Sequence, residues 1–184
     1  RARSLPGLQI DGIEIITSRH ALELRDKPEA IAIIGASAIG CEFAYYFNSY
    51  GVNVMMFEML EHLVPREDED VSIELERQFG QQGIEFATSA DVSGVEKKDG
   101  RLAVQYKVSG KKQEFICDKV LLGVGVQPNT DQIGLENVGI HTTGPGYIEV
   151  DGNMRTNVSG VYAVGDVNGK LQLAHVAFDQ GVVA

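Results

Sequence analysis

Two patterns of apolar positions alternate along the chain. Almost uninterrupted apolar runs, typical of strands that a parallel sheet buries on both faces, occupy residues 31–34, 52–57 and 119–124. Alternation of polar and apolar side chains, typical of half-exposed antiparallel strands, covers residues 91–96, 102–108 and 113–117. The patterning therefore predicts an α/β fold in which a parallel sheet is joined to an antiparallel three-stranded meander.

Helices are predicted between the apolar runs. Residues 38–50 and 70–82 have helical periodicity, and Gly51 and Gly83 supply a stop after each. A short strand at 84–87 then completes a β-α-β-α-β unit, which makes the sheet Rossmann-like. The buried sides of the two helices are expected to consist of Phe43, Phe47 and Tyr50 in the first and Val71, Ile73, Leu75 and Phe79 in the second.

The two ends of the chain carry less regular patterns. We expect a strand at 13–16, then a short helix through residue 24 that Thr17 or Ser18 caps. After residue 125 we expect strands at 148–150 and 158–166 and a helix at 173–184. The predicted domains are a lead-in at 1–28, a main domain at 29–125 and part of a second unit at 126–184. Since the chain starts at Arg1 and ends inside a predicted helix, we expect a piece of a longer protein.

The first apolar run leads into the sequence Gly35-Ala36-Ser37-Ala38-Ile39-Gly40. This is the dinucleotide fingerprint Gly-x-Gly-x-x-Gly with serine at the middle glycine. Gly35 permits the sharp turn, and Gly40 lets the following helix approach the strand. The first N–H groups of that helix lack intrahelical partners, and with the helix dipole they form an anion site suited to a pyrophosphate.

Two carboxylates accompany the fingerprint. Glu58 ends the second apolar run 23 residues after Gly35, where an acidic residue accepts hydrogen bonds from the adenosine ribose. The alternative is a solvated glutamate at the end of a strand. Glu42 lies two residues after Gly40, near the ligand end of the helix, and its alternative role is a favourable interaction with the helix N-terminus.

Composition narrows the function classes. The 16 basic and 26 acidic residues give a net charge of −10, which argues against a nucleic-acid surface. No apolar run approaches the length of a membrane span, and no signal peptide is visible. Cys41 and Cys117 lack metal-ligand or Cys-x-x-Cys spacing, so we predict buried free thiols, no metal site and a cytoplasmic location.

The order of motifs resembles the pyridine nucleotide–disulfide oxidoreductases, flavoproteins with FAD, NAD(P) and dimerisation domains. Within that family the resemblance is to the dihydrolipoyl dehydrogenase branch. The matching residues are those at 35–42, Glu58, 125–130, 154–158, 160–166 and 173–177. The resemblance implies the FAD/NAD(P)-binding fold and a homodimeric parent that oxidises dihydrolipoamide thiols through a disulfide and FAD to NAD.

The resemblance also implies roles for individual residues. The NAD site would comprise Gly35, Ser37, Ala38, Ile39, Gly40, Glu42, Glu58, Val92 and Gly125. Glu58 followed by Met59 and Leu60, rather than by basic residues, implies NAD instead of NADP. In the FAD site, Asp166 would bind the ribityl and phosphate region, and the isoalloxazine ring would lie along Leu173, Ala174 and His175.

The family's Cys-x-x-x-x-Cys, its His–Glu pair and its first FAD fingerprint are absent from these residues, and Val126-Gln127 replaces a pair of arginines. We therefore predict no catalytic residue, no activity for this chain alone and poor binding of FAD. The alternatives are a sister enzyme of the mercuric reductase or NADH oxidase type and a non-catalytic nucleotide-binding module.

Overall fold

The computed structural model describes residues 1–184, which form two compact units. The first unit is Ala2–Gly125, and the second is Val126–Ala184 together with Arg1. Residues 2–28 therefore belong by contact to the same unit as the predicted main domain. None of the helices is both long enough and apolar enough to span a membrane.

The first unit contains eight strands and three helices. In chain order they are β1 (Ile15–Ile16), α1 (Ser18–Leu22), β2 (Ala30–Ile34), α2 (Ala38–Ser49), β3 (Asn53–Phe57), α3 (Glu69–Gln82), β4 (Glu85–Ala87), β5 (Asp91–Lys98), β6 (Arg101–Val108), β7 (Lys111–Cys117) and β8 (Lys119–Leu122). A five-stranded parallel sheet has the order β1-β8-β2-β3-β4, and β5-β6-β7 form a separate antiparallel sheet. The predicted fold class is confirmed.

The parallel sheet is covered on both faces, which explains its apolar strands. Alternate residues of β2 point in opposite directions. Ile31 and Ile33 pack with side chains of α2 and α3 such as Phe47 and Phe79, whereas Ala32 packs with the meander. The first unit is therefore a three-layer arrangement of helices, parallel sheet and antiparallel sheet.

The carboxyl ends of β2, β3 and β8 lie at one edge of the sheet. Ile34 is paired with Phe57 on one side and with Leu122 on the other. From β2 the chain continues through α2 to β3, whereas β8 enters on the opposite side of β2. The edge between β2 and β8 is thus a topological switch point, the place where open α/β sheets bind ligands.

Three expectations about helix surfaces and the first strand are wrong. The side chains of Tyr50, Val71 and Ile73 are exposed by 63%, 52% and 50%. In α3 the inward stripe runs through Ser72, Leu75, Glu76 and Phe79, at spacings of three and four residues, and Val71 and Ile73 lie outside this phase. Tyr50 is the C-cap of α2, beyond its last inward turn.

The predicted strand 13–16 is limited to β1, because the amides of residues 13–15 bond to the Asp11 carboxylate.

The second unit has little regular structure. It contains the 3-10 helices Leu135–Val138 and Gly165–Asn168, and the helix α4 (Ala174–Val183). The strands expected at 148–150 and 158–166 are wrong, since only the single bridges Thr142 to Ile148 and Arg155 to Tyr162 form there. Gly165, with φ of +77°, turns the chain into a 3-10 helix instead of extending it.

Candidate functional site

The fingerprint forms a tight turn between β2 and α2. Gly35 has φ of +97°, a backbone conformation that is sterically unfavourable for residues other than glycine. An added Cβ on Gly35 would lie 2.6 Å from the Gly123 carbonyl oxygen, and one on Gly40 would lie 1.9 Å from the Gly35 carbonyl oxygen. Both glycines are required because backbone segments of β2, α2 and the end of β8 meet here.

The first turn of α2 leaves hydrogen-bond donors free. The first backbone hydrogen bond of α2 is the one that the Cys41 amide donates to the carbonyl of the N-cap residue, Ser37, at 3.0 Å. The amides of Ala38, Ile39 and Gly40 therefore have no protein acceptor. Ser37 is the N-cap, yet its hydroxyl makes no capping bond. These donors, at the positive end of the helix dipole, suit an anion.

Glu58 lies beside this turn and is buried, with 9% of its surface exposed. One carboxylate oxygen, Oε2, accepts the Ala36 amide at 2.9 Å, and Oε1 accepts the Leu60 amide at 2.9 Å. Each carboxylate oxygen can accept a second hydrogen bond. The carboxylate is held in place by the glycine turn and keeps capacity for two hydroxyl donors.

Cys41 faces the same turn from α2. Its thiol donates to the Ala36 carbonyl at 3.3 Å, and Ala36 itself is fully buried. Burial, followed by the nearby charges of Glu58 and Glu42, raises the pKa of the Cys41 thiol to about 12. Cys117 is also buried and free, and burial raises the pKa of its thiol to about 11. The two sulfurs are therefore protonated, unreactive packing groups.

The remaining predicted residues of the first unit lie on α2, on β5 and in the segment after β8. Glu42 is exposed on the second turn of α2. Val92 is half-buried on β5, two residues after Ala90, whose amide donates to the Glu58 carbonyl at 2.8 Å. Gly125 has φ of +93°, and its carbonyl accepts the Arg3 amide at 3.0 Å.

The predicted flavin residues all lie in the second unit. Asp166 is exposed within the 3-10 helix and lines a cavity of about 300 Å³ together with Arg1, Val126, Gln127, Pro128, Asn129, Val167 and Gln172. Leu173 is the N-cap of α4, and Ala174 and His175 occupy its exposed first turn. The predicted site residues thus fall into two groups, one in each unit.

Sequence reasoning missed Gly123. A Cβ added to it would lie 3.2 Å from the Gly35 carbonyl oxygen and 3.4 Å from the Gly40 Cα. Its own amide donates to the Ile34 carbonyl at 2.8 Å, which extends the pairing of β8 with β2. A glycine near the end of the apolar run 119–124 was the available signal, because it marks close backbone approach.

Known proteins resemble this chain along its whole length. Residues 1–181 match the family model described as pyridine nucleotide-disulphide oxidoreductase. The dihydrolipoyl dehydrogenase of Mycobacterium leprae is 42% identical over 184 residues, and that of Bacillus subtilis is 38% identical over 186 residues. Each match covers 100% of this chain and 39% of the relative, so the chain spans about two fifths of the length of these curated relatives.

Solved structures show the same fold. The flavoprotein disulfide reductase RclA of Escherichia coli, solved as a Cu(II) complex, has a TM-score of 0.90 at 26% identity, covering 100% of this chain and 42% of RclA. LpdA of Mycobacterium tuberculosis has a TM-score of 0.87 at 34% identity, covering 98% of this chain and 39% of LpdA. On the match over residues 1–181, the chain belongs to the pyridine nucleotide-disulphide oxidoreductase family.

Proposed function

We propose that the turn at residues 35–40 and Glu58 bind NAD, and that the chain supplies the NAD-binding part of a flavoprotein like dihydrolipoyl dehydrogenase. The observation that carries the proposal is the fixed position of Glu58 beside the free amides of Ala38, Ile39 and Gly40. The relatives in Mycobacterium leprae and Bacillus subtilis that bear this name support the choice of branch.

The chemistry of these groups fits a dinucleotide. The pyrophosphate would accept from the amides of Ala38, Ile39 and Gly40 and from the Ser37 hydroxyl. Glu58 would accept from the two hydroxyls of the adenosine ribose. When bound, NAD supplies a two-electron hydride acceptor, and this chain's residues hold and orient it.

The negative charge of Glu58 favours a ribose with a free 2′-hydroxyl, and hence NAD over NADP. A 2′-phosphate would lie against this buried carboxylate, and like charges at close range repel. The next residues, Met59 and Leu60, offer no cation to offset that repulsion. The preference for NAD thus rests on repulsion of the phosphate as well as on the hydrogen bonds to the ribose.

The second group of residues is proposed to contribute to an FAD site. Asp166 is exposed and lines the 300 Å³ cavity, where its carboxylate would accept from hydroxyls of the ribityl chain. Leu173, Ala174 and His175 would flank the ring system. Under this proposal residues 29–125 are the NAD domain, residues 1–28 and 126–184 are parts of the FAD domain, and the parent is a homodimer.

A sister flavoprotein disulfide reductase is the second candidate. RclA, which bears that description, superimposes with a TM-score of 0.90. Its identity of 26% is lower than the 42% of the dihydrolipoyl dehydrogenase from Mycobacterium leprae, and this difference favours the first proposal.

Isothermal titration calorimetry tests the cofactor proposal on this chain. We expect NAD⁺ to bind the wild type more tightly than NADP⁺, and Glu58→Ala to weaken NAD⁺ by about tenfold or more, since it removes two hydrogen bonds to a charged group. Equal affinity for NAD⁺ and NADP⁺, or no effect of Glu58→Ala, would refute the ribose assignment. Exposed Glu61 on the following loop gives a matched control as Glu61→Ala, for which we expect no change.

A further inference from the structure

The loop between β3 and α3 is bonded to Glu76 of α3, while His62 Nε2 also lies 3.8 Å from Glu69 Oε1 at the start of the same helix. The Leu63 amide donates to Glu76 Oε1 at 3.0 Å. The Glu76 side chain comes from the inward stripe of α3 and is 22% exposed. His62 Nδ1, a buried atom without a hydrogen-bond partner, lies 3.5 Å from the same oxygen. Glu76 thus binds the Leu63 amide and lies beside the His62 ring.

The loop does not adopt this conformation by local preference. Val64 has φ of +44°, in the left-handed region that a β-branched residue rarely occupies. Such a conformation persists where surrounding contacts impose it. The preceding residue, Leu63, supplies such contacts. Its side chain is fully buried in the core on the helix side of the sheet, and its amide is bonded to Glu76.

The strained residue contacts the nucleotide turn. The Val64 amide donates to the Ala36 carbonyl at 2.8 Å, and the Ala36 amide donates to Glu58 Oε2 at 2.9 Å. Ala36 is therefore bonded to both ends of the segment that starts at Glu58 and ends at Val64. A shift of Val64 would move Ala36, and with it one of the two bonds that orient the Glu58 carboxylate.

We propose that Glu76 is a positioning residue for the adenosine end of the nucleotide site, acting through the Leu63 and Val64 amides on Ala36 and Glu58. This inference rests on the proposed binding of NAD at Glu58. Glu76 itself would not touch the nucleotide. It holds the loop whose far end fixes the ribose-binding carboxylate.

The test is calorimetry with NAD⁺ on the wild type, Glu76→Ala and Glu76→Gln. We expect Glu76→Ala to raise the Kd for NAD⁺ about three- to tenfold, the range that corresponds to one lost hydrogen bond. Glu76→Gln should restore the affinity to within about twofold, because the amide oxygen of glutamine also accepts the Leu63 N–H. Glu74→Ala, an exposed glutamate of the same helix that pairs with Arg77, is the matched control and should leave the Kd unchanged.

Amide hydrogen exchange gives a second readout without nucleotide. In Glu76→Ala the amides of Leu63 and Val64 should exchange faster, while Glu74→Ala leaves them as in the wild type. If Glu76→Ala fails to fold, Glu76→Asp, whose carboxylate is one methylene shorter, replaces it with the same expected loss.

The outcomes separate the two proposals. If Glu58→Ala weakens NAD⁺ and Glu76→Ala does not, the positioning role is overturned and the NAD site stands. If Glu76→Gln loses as much affinity as Glu76→Ala, the hydrogen-bond route is overturned in favour of a role for charge. If the wild type does not bind NAD⁺, the proposed function fails, and the inference that rests on it fails too.

Discussion

The two compact units are built on different kinds of core. In Ala2–Gly125 the sheet residues Ile31, Ile33, Met56 and Leu121 are fully buried, and only three polar side chains are buried, those of Thr17, Glu58 and Ser72. In the second unit the buried apolar side chains are Ile148, Met154 and Ala163, and the buried polar ones are Thr130, Asn168 and Gln180. Half of the buried side chains in the second unit are therefore polar.

This difference explains how each unit holds its candidate cofactor residues. In the first unit the register of apolar strands brings Gly35, Glu58 and Gly123 to one edge. In the second unit the Gln180 amide oxygen accepts the Gly165 amide and the Asn168 side chain, each at 2.7 Å, and so fixes the turn that carries Asp166. In the first unit the pairing of buried strands brings the residues together and backbone amides orient Glu58, whereas in the second unit the Gln180 side chain holds the turn.

The largest expected effect comes from breaking the backbone contact in the first unit. Gly40→Ala places a Cβ 1.9 Å from the Gly35 carbonyl oxygen, so we expect a loss of about 3 kcal/mol or more in the free energy of unfolding. Gly80→Ala is the matched control, because a Cβ on this helical glycine meets nothing within 4 Å and should stabilise by about 1 kcal/mol. Urea denaturation monitored by circular dichroism distinguishes them; a mild effect of Gly40→Ala would contradict the close approach.

The next effect concerns the polar core of the second unit. Gln180→Ala leaves the Gly165 amide and the Asn168 side chain without their shared acceptor, so we expect a local loss of about 2 kcal/mol. Amide exchange at Gly165 should accelerate about thirtyfold, with no change in the strands of the parallel sheet. Asp179→Ala, at the exposed neighbouring position, is the control. Unchanged exchange at Gly165 would show that packing, not this amide, holds the turn.

A smaller effect is expected at Asp118, which accepts hydrogen bonds from backbone amides of the first unit. Asp118 accepts the amides of Glu29 and Ala30 at 2.8 and 2.9 Å and pairs with Arg101. Burial raises the pKa of the Asp118 carboxyl, but the Ala30 amide and the Arg101 side chain outweigh it and hold that pKa below its ordinary value of 3.8.

Because the folded pKa is depressed, the stabilisation by Asp118 is complete above the ordinary value and is lost as the pH falls through the folded pKa. Asp118→Asn should cost about 1–2 kcal/mol in the free energy of unfolding at pH 7, and less below pH 4. Denaturation curves at pH 7 and pH 3 measure the difference. A cost that is the same at both values would show that the charge contributes nothing.

The smallest expected effect concerns Ser37 in the turn at residues 35–40, where the proposed binding can be separated from folding. The Ser37 hydroxyl makes no capping bond, so Ser37→Ala should change the free energy of unfolding by less than about 0.5 kcal/mol. If that hydroxyl donates to the pyrophosphate, the Kd for NAD⁺ should rise about threefold in the same variant. Calorimetry and thermal unfolding of one sample measure both. Weaker folding with unchanged affinity would assign Ser37 a structural role.

The sequence predicted more of the first unit than of the second, for a physical reason. Strand periodicity and glycine spacing follow from local burial, so β2, the meander and the positions of Gly35 and Gly40 were predictable. Which side of α3 faces the core was not predictable, because Val71 and Ile73 are apolar and yet lie outside its inward stripe. In the second unit the pattern of residues 158–166 suggested a strand, whereas hydrogen bonds with the side chains of Asn168 and Gln180 determine the conformation.

The parts of the candidate site that the sequence did not reveal are long-range contacts. Glu58 was found from its spacing to Gly35, but its bond to the Ala36 amide depends on the pairing of β2 with β3. The contact of Val64 with Ala36 depends on a left-handed residue that no local pattern indicates. Gly123 acquires its importance only when β8 lies beside β2.

Binding of a dinucleotide at the glycine turn of the first unit can be measured directly. A ¹⁵N-labelled sample of this chain, titrated with NAD⁺ and followed by amide chemical shifts, tests it residue by residue. We predict saturable shifts at Ser37, Ala38, Ile39 and Gly40, joined by the Leu60 amide that bonds to Glu58. An absence of shifts at these amides, or shifts confined to residues 126–184, would contradict the account.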